Sequence, residues 1–300
     1  MQMVQLSQSD VQLSRLVYGV WRLADAANLS TAHVREKIDL CLDQGITSFD
    51  HADIYGDYEC ERLFGKALGQ DASLRSKMQL ISKCDIVIPS DKFPQRQVKY
   101  YDTSAVYIQN SVEQSLKNLH TDYLDLLLIH RPDPFMDAAE TGKALDALID
   151  SGKVRAVGIS NFEVWDWRLL QSHMKHPLVV NQIEMSLLNQ SAFTNGNLSA
   201  IQLDDLTPMA WSPLAGGALF QQSAETARLA PIFDRICQQQ NCSIDQVAVA
   251  WLLAHPANIL PIVGTNHPDR IKTLSKAMDI QLDRETWFEL LTAAAGHEVP

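Results

Sequence analysis

LDLLLIH, residues 124–130, is hydrophobic on both alternating faces apart from Asp125, up to the histidine that ends it. A strand with one wet face alternates in polarity, whereas a run apolar on both faces fits a parallel sheet covered on both sides. Seven further runs belong with it: LVYGV (16–20), ITSFD (46–50), MQLISK (78–83), VRAVGIS (154–160), LVVNQ (178–182), LTPMAWS (206–212) and ILPIVG (259–264). Between them lie segments with helical spacing. In residues 30–45, Val34, Ile38 and Cys41 or Leu42 share a face, Ser30 or Thr31 caps the start, and Gly45 ends it. Residues 104–121 set Ile108, Val112, Leu116 and Leu119 on one stripe, and residues 243–256 read as a buried helix ending before Pro256. Eight strands with helical crossovers are the count of a closed, all-parallel (β/α)₈ TIM barrel, expected here as one domain over residues 1–300. A doubly wound open sheet is the alternative. It is disfavoured because no strand is followed by GxGxxG or GxxxxGK[ST].

The chain has 300 residues, 46% of them apolar, enough for a large core, and barrels run to roughly 250 residues as one unit. A net charge of -11 argues against nucleic-acid binding, which needs a basic footprint. No basic leader with an apolar core opens the sequence, and no apolar run approaches the roughly 20 residues that span a bilayer. Five cysteines without a CxxC pair fit reduced thiols, with Cys84 a buried bystander, so a cytoplasmic location is expected.

In a barrel the reactive groups gather at the C-terminal ends of the strands. The second strand ends at Asp50, with Tyr55 on the loop beyond it. The third ends at Lys83, the fourth at His130, the fifth at Ser160 and Asn161, the sixth at Asn181 and Gln182, and the seventh at Trp211 and Ser212. FDHADIYG (49–56) alone offers Asp50, His51 and Asp53 as metal ligands. A metal-dependent barrel hydrolase needs several His and carboxylate ligands from different strand ends, and Lys83 would repel a cation. Proton chemistry fits better. A tyrosine titrates near 10, and a neighbouring ammonium lowers that value. Lys83 is placed to act on Tyr55, Asp50 to pair with Lys83, and His130 to bond a substrate oxygen or relay a proton to Tyr55. Together they suit the reduction of a carbonyl.

FDHADIYG, the lysine ending the third strand, LLLIHRPDP (126–134), GISNF (158–162), NQIE (181–184) and PIVGTNHPDR (261–270), in this order, closely resemble the aldo-keto reductases over nearly the whole chain. The resemblance implies a (β/α)₈ barrel in which Tyr55, Lys83, His130 and Asp50 support carbonyl reduction by NADPH. It implies that Ser160, Asn161 and Gln182 fix the nicotinamide carboxamide and that Trp211 stacks on its ring. Ser212, Leu214 and Gly216, in SPLAGGALF (212–220), would line the pyrophosphate, and Gly264, Thr265, Asn266 and Arg270 would receive the adenosine 2′-phosphate. Many members carry a lysine where Gly264 stands, which weakens the preference for NADPH over NADH without reversing it. The family commonly has FDTA where this chain has FDHA, and His51 reads as a packed, hydrogen-bonded residue of the bowl wall. Trp21, with Trp165 or Phe162, is a candidate for the substrate wall. Short loops leave the mouth open, so broad tolerance of small carbonyl substrates is expected, in a monomer or weak oligomer. A nicotinamide-binding regulatory subunit with slow turnover is the alternative.

Overall fold

The computed structural model describes residues 1–69 and 71–300. Its centre is a closed barrel of eight parallel strands: β1 (Val17–Gly19), β2 (Ser48–Asp50), β3 (Gln79–Cys84), β4 (Leu124–Ile129), β5 (Val154–Ser160), β6 (Leu178–Glu184), β7 (Thr207–Trp211) and β8 (Leu260–Val263). All eight expected strands are present, and the sheet is closed rather than open. Neighbours run in chain order, and β8 returns to β1 with Ile262 beside Val17.

Side chains along each strand alternate between the barrel interior and the helical layer. Ile81, Leu126, Leu128, Ala156, Val180, Met209 and Leu260 fill the interior, whereas Phe49, Leu80, Leu127, Ile129, Val157 and Ala210 pack outward under the helices. Continued by two residues, the interior rows arrive at Lys83 after Ile81, His130 after Leu128, Gln182 after Val180 and Trp211 after Met209. The strand period itself therefore delivers a ring of polar side chains to the barrel mouth.

The outer layer is α1 (Thr31–Leu42), α2 (Cys60–Leu68), α3 (Ala105–Leu119), α4 (Ala138–Asp150), α5 (Val164–Gln171), α6 (Asn197–Leu203), α7 (Ala224–Gln240), α8 (Ile244–Leu253) and α9 (Arg284–Ala295). Ser30 caps α1 by accepting from the His33 amide, and Ser104 caps α3 by accepting from Tyr107. An antiparallel hairpin, Met3–Gln5 with Gln12–Ser14, closes the end of the barrel opposite the mouth. Its Leu6, Val11 and Leu13 are at most 1% exposed and belong to the interior cluster. Burying each stabilises the fold by roughly 1.5–3 kcal/mol. Among the described residues no helix is long and apolar enough to cross a membrane.

Candidate active site

Lys83 is 1% exposed, and its ammonium donates to Asp50 Oδ2 at 2.7 Å, the His51 carbonyl at 2.8 Å and Tyr55 Oη at 3.1 Å. An ammonium has three donors, and all three are used. Because Tyr55 Oη accepts from Lys83, its own proton is free to point elsewhere, and Tyr55 borders the main cavity. Asp50 Oδ1 accepts from Gln182 Nε2 at 2.9 Å. Burial works against the Lys83 charge, but Asp50 and Tyr55 outweigh it and hold the ammonium's pKa above its ordinary value. The expectation that Lys83 lowers the Tyr55 pKa is half of the balance. Burial is the larger effect and leaves the phenol above its ordinary value, protonated near neutral pH.

His130 presents its ring edge to Tyr55, centroids 5.8 Å apart and planes at 78°. Burial, helped by the charges of Lys83 and Arg131, keeps its pKa well below the usual histidine range. A neutral ring offers one N–H, and among the described residues Nδ1 has no partner. No hydrogen bond joins His130 to Tyr55 among these residues, so the geometry favours orienting an oxygen over relaying a proton.

The expected nicotinamide contacts form one hydrogen-bonded chain. Trp211 Nε1 donates to Asn161 Oδ1 at 2.9 Å, Asn161 Nδ2 to Ser160 Oγ at 2.8 Å, and Ser160 Oγ to the Gln182 carbonyl at 2.9 Å. Gln182 then reaches Asp50 through its amide, so its side chain supports the Asp50–Lys83 pair. Asn161 holds this position with φ +61°, a left-handed conformation that asparagine tolerates.

A cavity of about 1050 Å³ runs from Trp21, Tyr55 and His130 past Trp211, Ser212 and Leu214 to Thr265, Asn266 and Arg270. Its size lies just above the ~300–1,000 Å³ range of small-molecule sites, large enough for a dinucleotide. Beyond Leu214 the backbone turns through Gly216 (φ +64°) and Gly217 (φ +101°), conformations that glycine adopts without strain. Arg22 donates to the Gly216 carbonyl at 3.1 Å, tying the loop after β1 to this turn. At Gly264 a Cβ would lie 2.8 Å from the Gly19 carbonyl oxygen, so there is no room for the lysine of many aldo-keto reductases. Thr265 accepts from Tyr18 Oη through its carbonyl at 2.7 Å. The Asn266 amide is held at both ends, by Lys37 Nζ at 2.9 Å and by the Arg22 carbonyl at 2.5 Å.

Every expected catalytic and cofactor residue borders this cavity or touches one that does, and Trp21 borders it at 54% exposure. Two expected substrate-wall residues do not. Phe162 is fully buried, and Trp165 stands exposed on α5, away from the cavity. His51 also departs from expectation. It is packed, 4.6 Å from the Phe64 ring, but neither ring nitrogen has a hydrogen-bond partner among the described residues. With Asp50 facing inward, alternation turns His51 outward, behind the sheet. Asp53 likewise lies outside the bowl, its Oδ2 accepting from Ser111 on α3 at 2.8 Å. Sequence reading missed Arg131, whose guanidinium lies 5.6 Å from the Trp211 ring centroid and borders the cavity. It directly follows His130 at a strand end, which is the signal that finds it. The five cysteines are unpaired, and among the described residues no group of three or more His, Cys, Asp or Glu is arranged to hold a metal ion.

The model of the Aldo/keto reductase family matches residues 15–293. A 6-dehydroglucose reductase of Agrobacterium fabrum is 53% identical over the full length of both chains. An uncharacterized oxidoreductase of Bacillus subtilis, YcsN, is 45% identical, again over both full lengths. Among solved structures, the thermostable aldo-keto reductase Tm1743, crystallised with the inhibitor epalrestat, superposes with a TM-score of 0.82 at 26% identity, over 98% of this chain and 100% of that one.

Proposed function

Because this chain belongs to the aldo/keto reductase family, an enzyme family that reduces carbonyls with nicotinamide cofactors, we propose that it is an NADPH-dependent reductase of a sugar aldehyde of the 6-dehydroglucose type. One observation carries the acid assignment: Lys83 occupies the lone-pair side of Tyr55 Oη at 3.1 Å and leaves the phenol proton free for the cavity. The reduced nicotinamide, when bound, supplies the hydride that reduces the carbonyl carbon. Tyr55 donates its proton to the carbonyl oxygen as negative charge builds there, and the ammonium of Lys83 stabilises the phenolate left behind. His130 offers its N–H to the same oxygen and orients it. Asp50, held by Gln182, keeps Lys83 charged and aimed.

Ser160, Asn161 and Trp211 form the shelf for the nicotinamide. Ser212, Leu214 and Gly216 would hold the pyrophosphate, and Gly264, Thr265, Asn266 and Arg270 would receive the adenosine 2′-phosphate, with NADH a weaker cofactor. The substrate class comes from the Agrobacterium fabrum relative. An aldehyde-bearing sugar also fits a mouth that combines the aromatic Trp21 with the polar Arg131 and Lys99. Residues 1–300 act as a single barrel domain on a small soluble carbonyl in the cytoplasm, as a monomer or weak oligomer, without nucleic acid or membrane.

The test is NADPH oxidation by the purified protein with 6-dehydroglucose and with simple aldehydes, in the parent and in Tyr55→Phe. The variant is expected to keep its NADPH affinity and lose turnover by roughly 10²–10⁴-fold. Parent-like turnover in Tyr55→Phe would remove the acid assignment, and no turnover of any aldehyde by the parent would remove the function.

A further inference from the structure

Lys37 sits on α1 among Val34, Ile38 and Cys41, on the face turned into the protein, and is 1% exposed. A lysine buried on an apolar face is unfavourable unless its charge finds a partner. Among the described residues no carboxylate pairs with it. Among these residues its ammonium makes one hydrogen bond, to Asn266 Oδ1 at 2.9 Å. Burial lowers the pKa of this ammonium, opposed by Glu36 one residue earlier. Asn266 borders the cavity beside Thr265 and Arg270, and donates from Nδ2 to the Arg22 carbonyl at 2.5 Å.

An ammonium only donates, so it decides which way the amide turns. The oxygen of Asn266 faces Lys37 and the NH₂ faces away. One of the two amide protons goes to the Arg22 carbonyl, and the other is left for the cavity. At the neighbouring strand end no side chain fits, because a Cβ at Gly264 would lie 2.8 Å from the Gly19 oxygen. The adenosine end therefore has a donor bordering it, a buried cation behind that donor with no ion-pair partner among the described residues, and no room for a lysine at position 264.

We propose that Lys37 is the positioning residue for recognition of the cofactor's 2′-phosphate, turning Asn266 donor-side outward and supplying from beneath the positive charge that position 264 has no room to carry. This rests on the NADPH reading above and adds a residue to it. A phosphate gains from both the aligned donor and the buried charge, whereas the 2′-hydroxyl of NADH gains little from either.

The test is tryptophan-fluorescence titration of the parent, Lys37→Met, Lys37→Arg and Asn266→Asp with NADPH and NADH, and calorimetric titration with 2′,5′-ADP and 5′-AMP. The parent is expected to prefer the 2′-phosphorylated member of each pair. Lys37→Met should shrink that preference by roughly 10- to 100-fold, the span of a hydrogen bond to a charged group, with NADH affinity unchanged. Lys37→Arg should restore most of it. Asn266→Asp should remove or invert it, because the carboxylate neutralises Lys37 and repels phosphate while giving the lysine an ion-pair partner that supports folding. Equal loss for both members of a pair in Lys37→Met would reduce the lysine to a structural prop and overturn the proposal. If Lys37→Met does not fold, Lys37→Gln, which keeps a donor toward Asn266 without the charge, takes its place. A parental preference that survives these variants overturns this proposal and leaves the NADPH reading standing. A parent without any preference overturns both.

Discussion

Gln182 Nε2 lies 2.9 Å from Asp50 Oδ1, and the two residues stand on opposite walls of the barrel, β6 and β2, with three strands between them either way round. The carboxylate that fixes the Lys83 ammonium is thus fixed in turn from across the mouth. Closure of the barrel, rather than any local turn, sets the geometry of the proton site.

Gln182→Leu removes that support and leaves Asp50 Oδ1 buried without its donor, a cost of about 1–3 kcal/mol. The urea midpoint should fall with an unchanged m-value, and turnover should fall more than NADPH affinity. A loss confined to cofactor affinity, with the midpoint unmoved, would show that Gln182 serves the nicotinamide instead.

Lys83→Met strands the Asp50 carboxylate in a site where it is 3% exposed. Breaking one side of a buried pair costs about 3–5 kcal/mol, and that penalty belongs to the orphaned charge. The double variant Asp50→Asn/Lys83→Met should recover much of the lost stability and none of the turnover. Equal stability of the single and double variants would mean that the pair is solvated in the folded protein.

His51 has its pKa pushed down to about 3 by burial and by Lys83. In the unfolded chain the ring titrates near 6.5, so below that pH the unfolded state binds a proton that the native state excludes, and stability falls with pH. In His51→Leu this liability is gone. The variant's advantage over the parent should grow by about 1.4 kcal/mol per pH unit below about 6.5 and vanish as a trend above it, read from urea midpoints. A pH-independent difference would show that the ring has a partner.

Asp53 titrates in the opposite sense. Burial lifts its carboxyl to about 8, against the hydrogen bond from Ser111. The unfolded carboxyl releases its proton near 3.9, so the native state keeps a proton over that interval and its stability falls as pH rises through it. Asp53→Asn keeps the shape without the titration. Its stability relative to the parent should rise from about pH 4 to about pH 8 and then level off. A flat difference would place the carboxylate in water.

The barrel was legible because eight short runs, most of them apolar on both faces and ending in polar residues, alternate with segments of helical spacing. The short pair Ile86–Val87 and Tyr100–Tyr101, and the N-terminal hairpin, were not, since they lie outside that alternation of apolar runs and helical segments. α7 carries Pro231 inside it, a break signal that masked a 17-residue helix. At the site, strand ends named Asp50, Lys83, His130, Ser160, Gln182 and Trp211 and the Asp50–Lys83–Tyr55 contacts, but not the bonds of Gln182 to Asp50 or of Trp211 to Asn161. Whether Gln182 turns to a ligand or to Asp50 depends on a distance across the barrel that no spacing in sequence encodes. His51 was within reach, because Asp50 facing inward obliges its neighbour to face outward. Lys37 was too, as a charge on the apolar side of α1.

The hairpin carrying Leu6, Val11 and Leu13 meets a cluster that includes Val180, Met209, Leu260 and Ile262. The hairpin precedes every strand of the barrel in the chain, yet the cluster it seals against runs from Val17 in β1 to Ile262 in β8. Contacts spanning nearly the whole chain carry a large closure entropy and form slowly. The hairpin is therefore among the last elements to lock, and until β8 docks the nascent barrel holds an oily floor open to whatever else binds unfolded chains.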